Sequence, residues 1–199
     1  MNTELITLSR SCEVMEIPSG IPHTLPAGSL VRMMQKLGGS YTVISSDSGR
    51  MYRIDAKDAD ALGFSAAPEE EAQASPQGEL TEKLIWDQLK TIYDPEIPVN
   101  IADLGLIYSC IIKPHEKGGN LLDVKMSMTA PGCGMGNVLK ADVERKLGQL
   151  PDVAEVRVEI VFEPQWHPGL MSEAAKLQLG FDVDYASTPA PFPVMRQPS

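Results

Sequence analysis

Leu122-Asp123-Val124-Lys125-Met126-Ser127-Met128, followed by Thr129-Ala130-Pro131-Gly132-Cys133-Gly134-Met135-Gly136, is the stretch on which the fold turns. In its first half Leu122, Val124, Met126 and Met128 alternate with Asp123, Lys125 and Ser127. That is the spacing of a half-buried strand with one wet face. Beyond the glycines, Leu139, Val143 and Leu147 recur every four residues, as in a helix packed on a sheet, and Gly148 is its expected stop. The loop between them carries the chain from strand to helix and presents Cys133 at the helix start. First-turn amides have no partner within a helix and the dipole end is positive, so a thiolate is stabilised there.

The pattern extends in both directions. Ala154, Val156, Val158, Ile160 and Phe162 alternate with Glu155, Arg157 and Glu159, a further half-buried strand. Ser172 is placed to cap a short last helix ending at Gly180. Upstream, residues 104–112 are apolar on both alternations except at Ser109, which reads as a strand covered on both sides, and residues 113–120 form a loop with Gly118-Gly119. Before that, Leu84, Ile85, Leu89 and Ile92 make one helical face, with Thr81 as N-cap and Trp86 off the stripe. The order helix, strand, strand, helix, strand, plus a short C-terminal helix, predicts a two-layer α/β sandwich over residues 80–182.

Residues 65–79 hold no apolar side chain larger than alanine and combine Pro, Ser, Gly and Glu, the composition of a flexible linker. Residues 1–64 read as a small β-rich domain, a barrel or curled sheet. Its expected strands are Cys12–Ile17, 40–44 and 51–54, with the run Leu30–Leu37 between turns. A short helix follows over Ala56–Leu62, capped by Asp55 and stopped by Gly63. Residues 183–199 form a proline-rich tail. The class is α+β.

With 17 basic and 27 acidic residues among 199, the net charge is −10, and no basic patch can be drawn. Nucleic acid and anionic membrane are therefore poor partners. The longest apolar run is too short to span a bilayer, and the start of the chain has no apolar signal core, so the expected location is cytoplasmic. Three cysteines, Cys12, Cys110 and Cys133, are odd in number and far apart, unlike a disulfide framework. Without a Cys-x-x-Cys pair, one chain cannot supply a four-cysteine site.

Cys133 has a bland reading, a small buried residue in a tight turn. Its glycine neighbours leave the sulfur little cover and allow close approach by another molecule, which favours a functional thiolate. Cys110 reads as structural. Asp94, Glu96 and Asp103 surround a second loop, where turn chemistry explains Asp94 and Asp103 as well as acid–base or ligand duty does. Trp166 stands between prolines, as a rigid contact residue or as packing within its own domain. His23 reads as a lone exposed histidine. No nucleophile elbow, P-loop or dinucleotide fingerprint occurs.

Asp94-Pro95-Glu96-Ile97-Pro98-Val99-Asn100-Ile101 with Asp103-Leu104-Gly105-Leu106-Ile107-Tyr108 resembles the first signature of a known family. Thr129-Ala130-Pro131-Gly132-Cys133-Gly134-Met135 is similar to its second, and Trp166 with Met171-Ser172-Glu173 to its third. The family is that of the small iron–sulfur assembly domains of SufT and PaaD proteins and of a eukaryotic cytosolic cluster-targeting factor. The front half, with Ile17-Pro18-Ser19-Gly20 and Leu37-Gly38-Gly39-Ser40-Tyr41-Thr42-Val43, resembles SufT in particular.

The resemblance implies a non-enzymatic accessory factor in iron–sulfur protein maturation. Its cofactor is a labile iron–sulfur cluster shared between chains, with Cys133 as metal ligand and Asp94, Glu96 and Thr129 as further cofactor-binding residues. Trp166 is the expected partner contact. The implied partners are an assembly scaffold, client apoproteins and a second copy in a homodimer. Two alternatives stand beside this reading: a metal-free adaptor recruiting clients, and a thiol enzyme with Cys133 as nucleophile and Asp94 or Glu96 as base.

Overall fold

The computed structural model describes residues 5–64, 79–130, 132–181 and 194–196. The chain forms two compact units, Met1–Ala74 with Pro95–Pro98, and Ser75–Asp94 with Val99–Ser199. The expected linker, 65–79, lies outside the described residues apart from Glu79, and so does the expected tail, 183–199, apart from Val194–Arg196.

In the first unit, six strands make one antiparallel sheet: β1 (Leu5–Thr7), β2 (Cys12–Ile17), β3 (Pro22–Leu25), β4 (Leu30–Leu37), β5 (Ser40–Ser45) and β6 (Met51–Asp55), ordered β1-β4-β5-β6-β2-β3. Val14, Val31, Tyr41, Val43 and Ile54 fill its core together with Ala59 and Leu62 of the helix that follows. That helix spans Ala56–Leu62 as expected but is a 3₁₀-helix. The Asp55 carboxylate accepts from the Ala56 amide at 2.8 Å, and Gly63 ends it in the left-handed region. The edge strands β1 and β3 went unread in the sequence, where turn residues obscure them. His23 is a correction: it sits in β3 with Nε2 2.8 Å from a Glu16 carboxylate oxygen and its ring edge-on to Tyr52.

The second unit follows the expected order. Helix α1 (Glu82–Leu89) is capped by the Thr81 hydroxyl, which accepts from the Leu84 amide at 3.2 Å. Ile85 and Leu89 are buried and Trp86 is half-buried. Strands β7 (Ile107–Pro114) and β8 (Asn120–Met126) pair antiparallel. Helix α2 (Gly136–Leu147) then crosses to β9 (Val153–Ile160), which runs parallel to β8. A parallel pair needs such a crossover, and a helix provides it. Helix α3 (Glu173–Leu179) is capped by Ser172 and closed by Gly180. A short strand β10 (Val194–Arg196) pairs parallel with β7, giving the sheet order β10-β7-β8-β9.

Leu122, Val124 and Met126 of β8 are fully buried, as are Val143 and Leu147 of α2, while Leu139 is 1% exposed. The opposite face of the sheet carries ion pairs, among them Lys113 with Asp123 at 2.5 Å and Lys125 with Glu159 at 3.9 Å. One face is thus covered by helix and the other is polar, the α+β arrangement the patterning called for.

Several boundaries differ from expectation: Lys113, Pro114 and Asn120, read as loop, belong to β7 and β8. Leu104 belongs to a turn, not to β7: its amide donates to Asn100 (2.9 Å) and that of Gly105 to Ala102 (3.0 Å). Ser127, assigned to the wet face, is 1% exposed; its amide donates to the Leu106 carbonyl at 2.7 Å and so extends the pairing to the chain just ahead of β7. Phe162, assigned to the buried face, is 49% exposed because β9 stops at Ile160.

Candidate functional site

β8 and β9 end side by side, with Met126 opposite Ile160 and the Val161 amide bonded to the Met126 carbonyl at 2.8 Å. The two segments that leave these ends enclose a cleft of about 460 Å³. Ser127, Met128 and Thr129 line it from one side, and Phe162, Glu163, Gln165 and Trp166 from the other. In α/β sheets the carboxyl ends of parallel strands are where ligands collect, because crossover helices leave a crevice there. Two residues singled out in the sequence, Thr129 and Trp166, meet in this cleft.

The segment after β9 is held firmly. The Trp166 indole donates through Nε1 to the Leu104 carbonyl at 2.8 Å, and the Tyr108 hydroxyl donates to the Pro164 carbonyl at 2.8 Å. The Ser172 amide donates to the Asp103 carbonyl at 2.8 Å. Gly105 has φ +69°, and a Cβ added there would fall onto the carbonyl group of Leu170. Glycine is therefore required twice over, by conformation and by close approach. His167 accepts from the Gly169 amide through Nδ1 at 3.2 Å and so caps a one-turn 3₁₀-helix, Pro168–Leu170. Trp166 is half-buried, with one edge engaged with its own domain, as its packing reading expects, and the side chain lining the cleft.

The segment after β8 bears Cys133. Its amide bonds to Ala130 at 3.4 Å, and its carbonyl accepts from Gly136 at 3.2 Å. Helix α2 begins at Gly136 with Met135 as N-cap, so Cys133 lies in the turn before the helix, two residues ahead of the cap. The expected position at the helix start is refined accordingly: the dipole acts from one turn away, where its effect is weaker.

The three thiols differ sharply in setting, and none is in a disulfide. Cys133 is half-buried, between half-buried Gly134 and exposed Gly132. Cys110 is fully buried in β7, and that burial, with Asp123 nearby, pushes its pKa up to about 12. Cys12 is 3% exposed, and its thiol is also raised, by burial first and by Asp58 second. A group held as a neutral thiol is a poor nucleophile and a poor ligand.

Of the acidic residues, Asp94 is 5% exposed and its amide donates to the Val99 carbonyl at 3.2 Å, while Glu96 is exposed. Asp103 is committed to its turn: its carboxylate accepts from the Asn100 side-chain amide at 2.6 Å and its own amide donates back at 2.8 Å. Among the described residues no three His, Cys, Asp or Glu side chains gather to hold a metal ion. Among the described residues, too, no helix is long and apolar enough to cross a membrane.

Ser127 went unnoticed in the sequence, where it looked like the wet side of a strand. It lines the cleft, yet its Oγ is buried and has no hydrogen-bond partner. Phe162 was read as core and instead forms part of the cleft wall.

Residues 82–160 match the family described as iron–sulfur cluster assembly protein. An Fe-S protein maturation auxiliary factor from Porphyromonas gingivalis is 42% identical over 101 residues, 51% of this chain and 92% of that protein. The Fe-S protein maturation auxiliary factor YitW of Bacillus subtilis is 35% identical, covering 48% of this chain and 90% of its own length. The Fe-S protein maturation auxiliary factor SufT of Staphylococcus aureus is 34% identical, covering 45% of this chain and 97% of its own. These relatives are matched over nearly their whole length and account for about half of this chain.

Proposed function

The chain belongs to the iron–sulfur cluster assembly protein family, and we propose that it is a non-enzymatic accessory factor in maturing iron–sulfur proteins. In this reading a cluster in transit is the cargo, and Cys133 lends it one thiolate. The observation that carries the proposal is the contrast among the thiols: Cys133 alone is partly exposed, in a glycine-flanked turn, while Cys12 and Cys110 are buried and held protonated. Work in the cytoplasm, where thiols stay reduced, fits three cysteines without a disulfide.

One chain brings one such thiolate, and a cluster needs several ligands. The remainder come from outside: a second copy, an assembly scaffold, or the client apoprotein. Incomplete ligation keeps exchange fast, which suits hand-over better than storage. Asp94, Glu96 and Thr129 are the remaining candidates for contact with the cargo. The cleft beside Trp166 is the docking point for the protein that gives or receives it.

The test is anaerobic reconstitution of the wild-type chain and Cys133→Ser, with iron and sulfide counted per chain. Loading is expected for the first and lost for the second. Equal loading removes Cys133 from the ligand set. If Cys133→Ser also supports client maturation while Trp166→Ala does not, the chain is a metal-free adaptor.

A further inference from the structure

Four observations meet in the cleft. Two aromatic side chains, Phe162 at 49% exposure and half-buried Trp166, line one side of it. Glu163 is exposed, is the only charged residue among the described residues of the lining, and stands in a chain of net charge −10. Thr129 and Gln165 add oxygen acceptors. Ser127, 1% exposed, keeps a buried hydroxyl with no partner. Leaving a buried hydroxyl unpaired is unfavourable, and such a group in a native structure is accounted for by an ordered water, by local strain or by a partner that arrives in function.

These features select a ligand by chemistry. Among the described residues no lining side chain is basic, so a phosphate or carboxylate would meet the Glu163 charge and neutral groups there. A flat cation suits every part: it stacks on an indole or phenyl face, pairs with a carboxylate, and donates several N–H bonds to hydroxyl and amide oxygens. Guanidinium does this better than ammonium, because its donors lie in one rigid plane. A volume of about 460 Å³ admits one such side chain with adjoining main chain.

We infer that this cleft is the docking site for an arginine side chain borne on an extended segment of the partner protein. The inference rests on the docking role proposed above and specifies its chemistry. Glu163 meets the guanidinium, Ser127 reaches it once its shielded hydroxyl turns into the cleft, and Trp166 and Phe162 flank it. The negative charge of the whole chain steers the segment in, so association weakens with salt.

The experiment is a titration of the full ¹⁵N-labelled chain, followed by NMR, with a capped pentapeptide carrying a central arginine between leucines and glycines. Matched peptides carry citrulline, lysine or glutamate at the centre. The arginine peptide is expected to give saturable shifts at the Trp166 indole and at the amides of Ser127, Thr129 and Phe162. Lysine should bind more weakly, and citrulline and glutamate should not saturate. Glu163→Gln should weaken arginine binding about fivefold and flatten its salt dependence. Ser127→Ala should weaken it about threefold with the remaining spectrum unchanged.

Equal binding of the citrulline or glutamate peptide overturns the inference, and so do shifts confined to residues outside the cleft or no saturation at millimolar peptide. Iron loading of the wild type against Cys133→Ser is read independently. A failed titration with Cys133-dependent loading intact therefore removes the arginine site and leaves the maturation role standing.

Discussion

The segment after β9 is fastened to the turn before β7 and to β7 itself through Trp166, Pro164, Leu170 and Ser172, whereas the segment after β8 holds Cys133 in a turn between glycines. Both leave the same end of the same parallel pair. The first is a platform, whose side chains keep their places because tertiary bonds and close packing over-determine them. The second carries a half-buried thiol between glycines. The hand-over role proposed above would use both, a fixed surface to register a partner and a thiol on a separate turn. The thiols repeat the contrast, since Cys110 under the sheet is protonated and shielded while Cys133 is accessible.

The strongest way to break this comparison is at the platform. Gly105→Ala places a Cβ on the Leu170 carbonyl in a backbone conformation that alanine avoids. Urea denaturation should show a loss of about 3 kcal/mol. A change below about 1 kcal/mol would mean that the turn before β7 does not hold the platform in place.

The thiol contrast is sharpened by pH. Burial raises Cys110 from 9.0 to about 12 in the folded chain. The unfolded chain therefore releases this proton at lower pH than the folded chain does. Its contribution to stability is complete below pH 9 and is lost as the pH climbs toward 12. Denaturation across the lower part of that window should show wild type losing up to about 1.4 kcal/mol per pH unit more than Cys110→Ala. Parallel slopes would place Cys110 in a wetter setting than β7 gives it.

Tyr108→Phe deletes the donor to the Pro164 carbonyl and leaves the ring in place. A loss of about 1 kcal/mol is expected, seen as a lower Tm. Its failure would shift the platform's anchorage to Trp166, Leu170 and Ser172. The smallest effect, and the one with the unusual sign, is Ser127→Ala. Removing a buried hydroxyl that has no partner should leave stability unchanged or raise it by up to about 1 kcal/mol. A clear loss would show that the hydroxyl is already satisfied in the unliganded protein.

Local signals carried much of the fold. Thr81 and Ser172 act as the helix caps their positions announced, and Leu139, Val143 and Leu147 face the sheet at the spacing the sequence displays. Such features depend only on residues within a turn or two of each other, so a linear reading finds them. Ser127 and Phe162 were misplaced for the opposite reason. What covers a residue at a strand end is decided by distant neighbours, and Leu106, which accepts the Ser127 amide, is far from it in the chain. The strand β10 escaped notice as well, because three residues beyond a proline cluster have no pattern of their own and join the sheet only through β7.

The candidate site divides along the same line. Thr129, Cys133 and Trp166 stood out from composition, glycine flanks and motif order, none of which requires coordinates. The cleft did not, because it is enclosed by two segments more than thirty positions apart that only the crossover of α2 brings to one edge. By itself the sequence determined the α+β class, the helix caps, the strongly acidic charge, and the single glycine-flanked cysteine. Only the tertiary structure decided which thiols are buried, which loop is fastened and where a cleft opens. Burial and close approach are properties of neighbours in space, and periodicity along one element cannot report them.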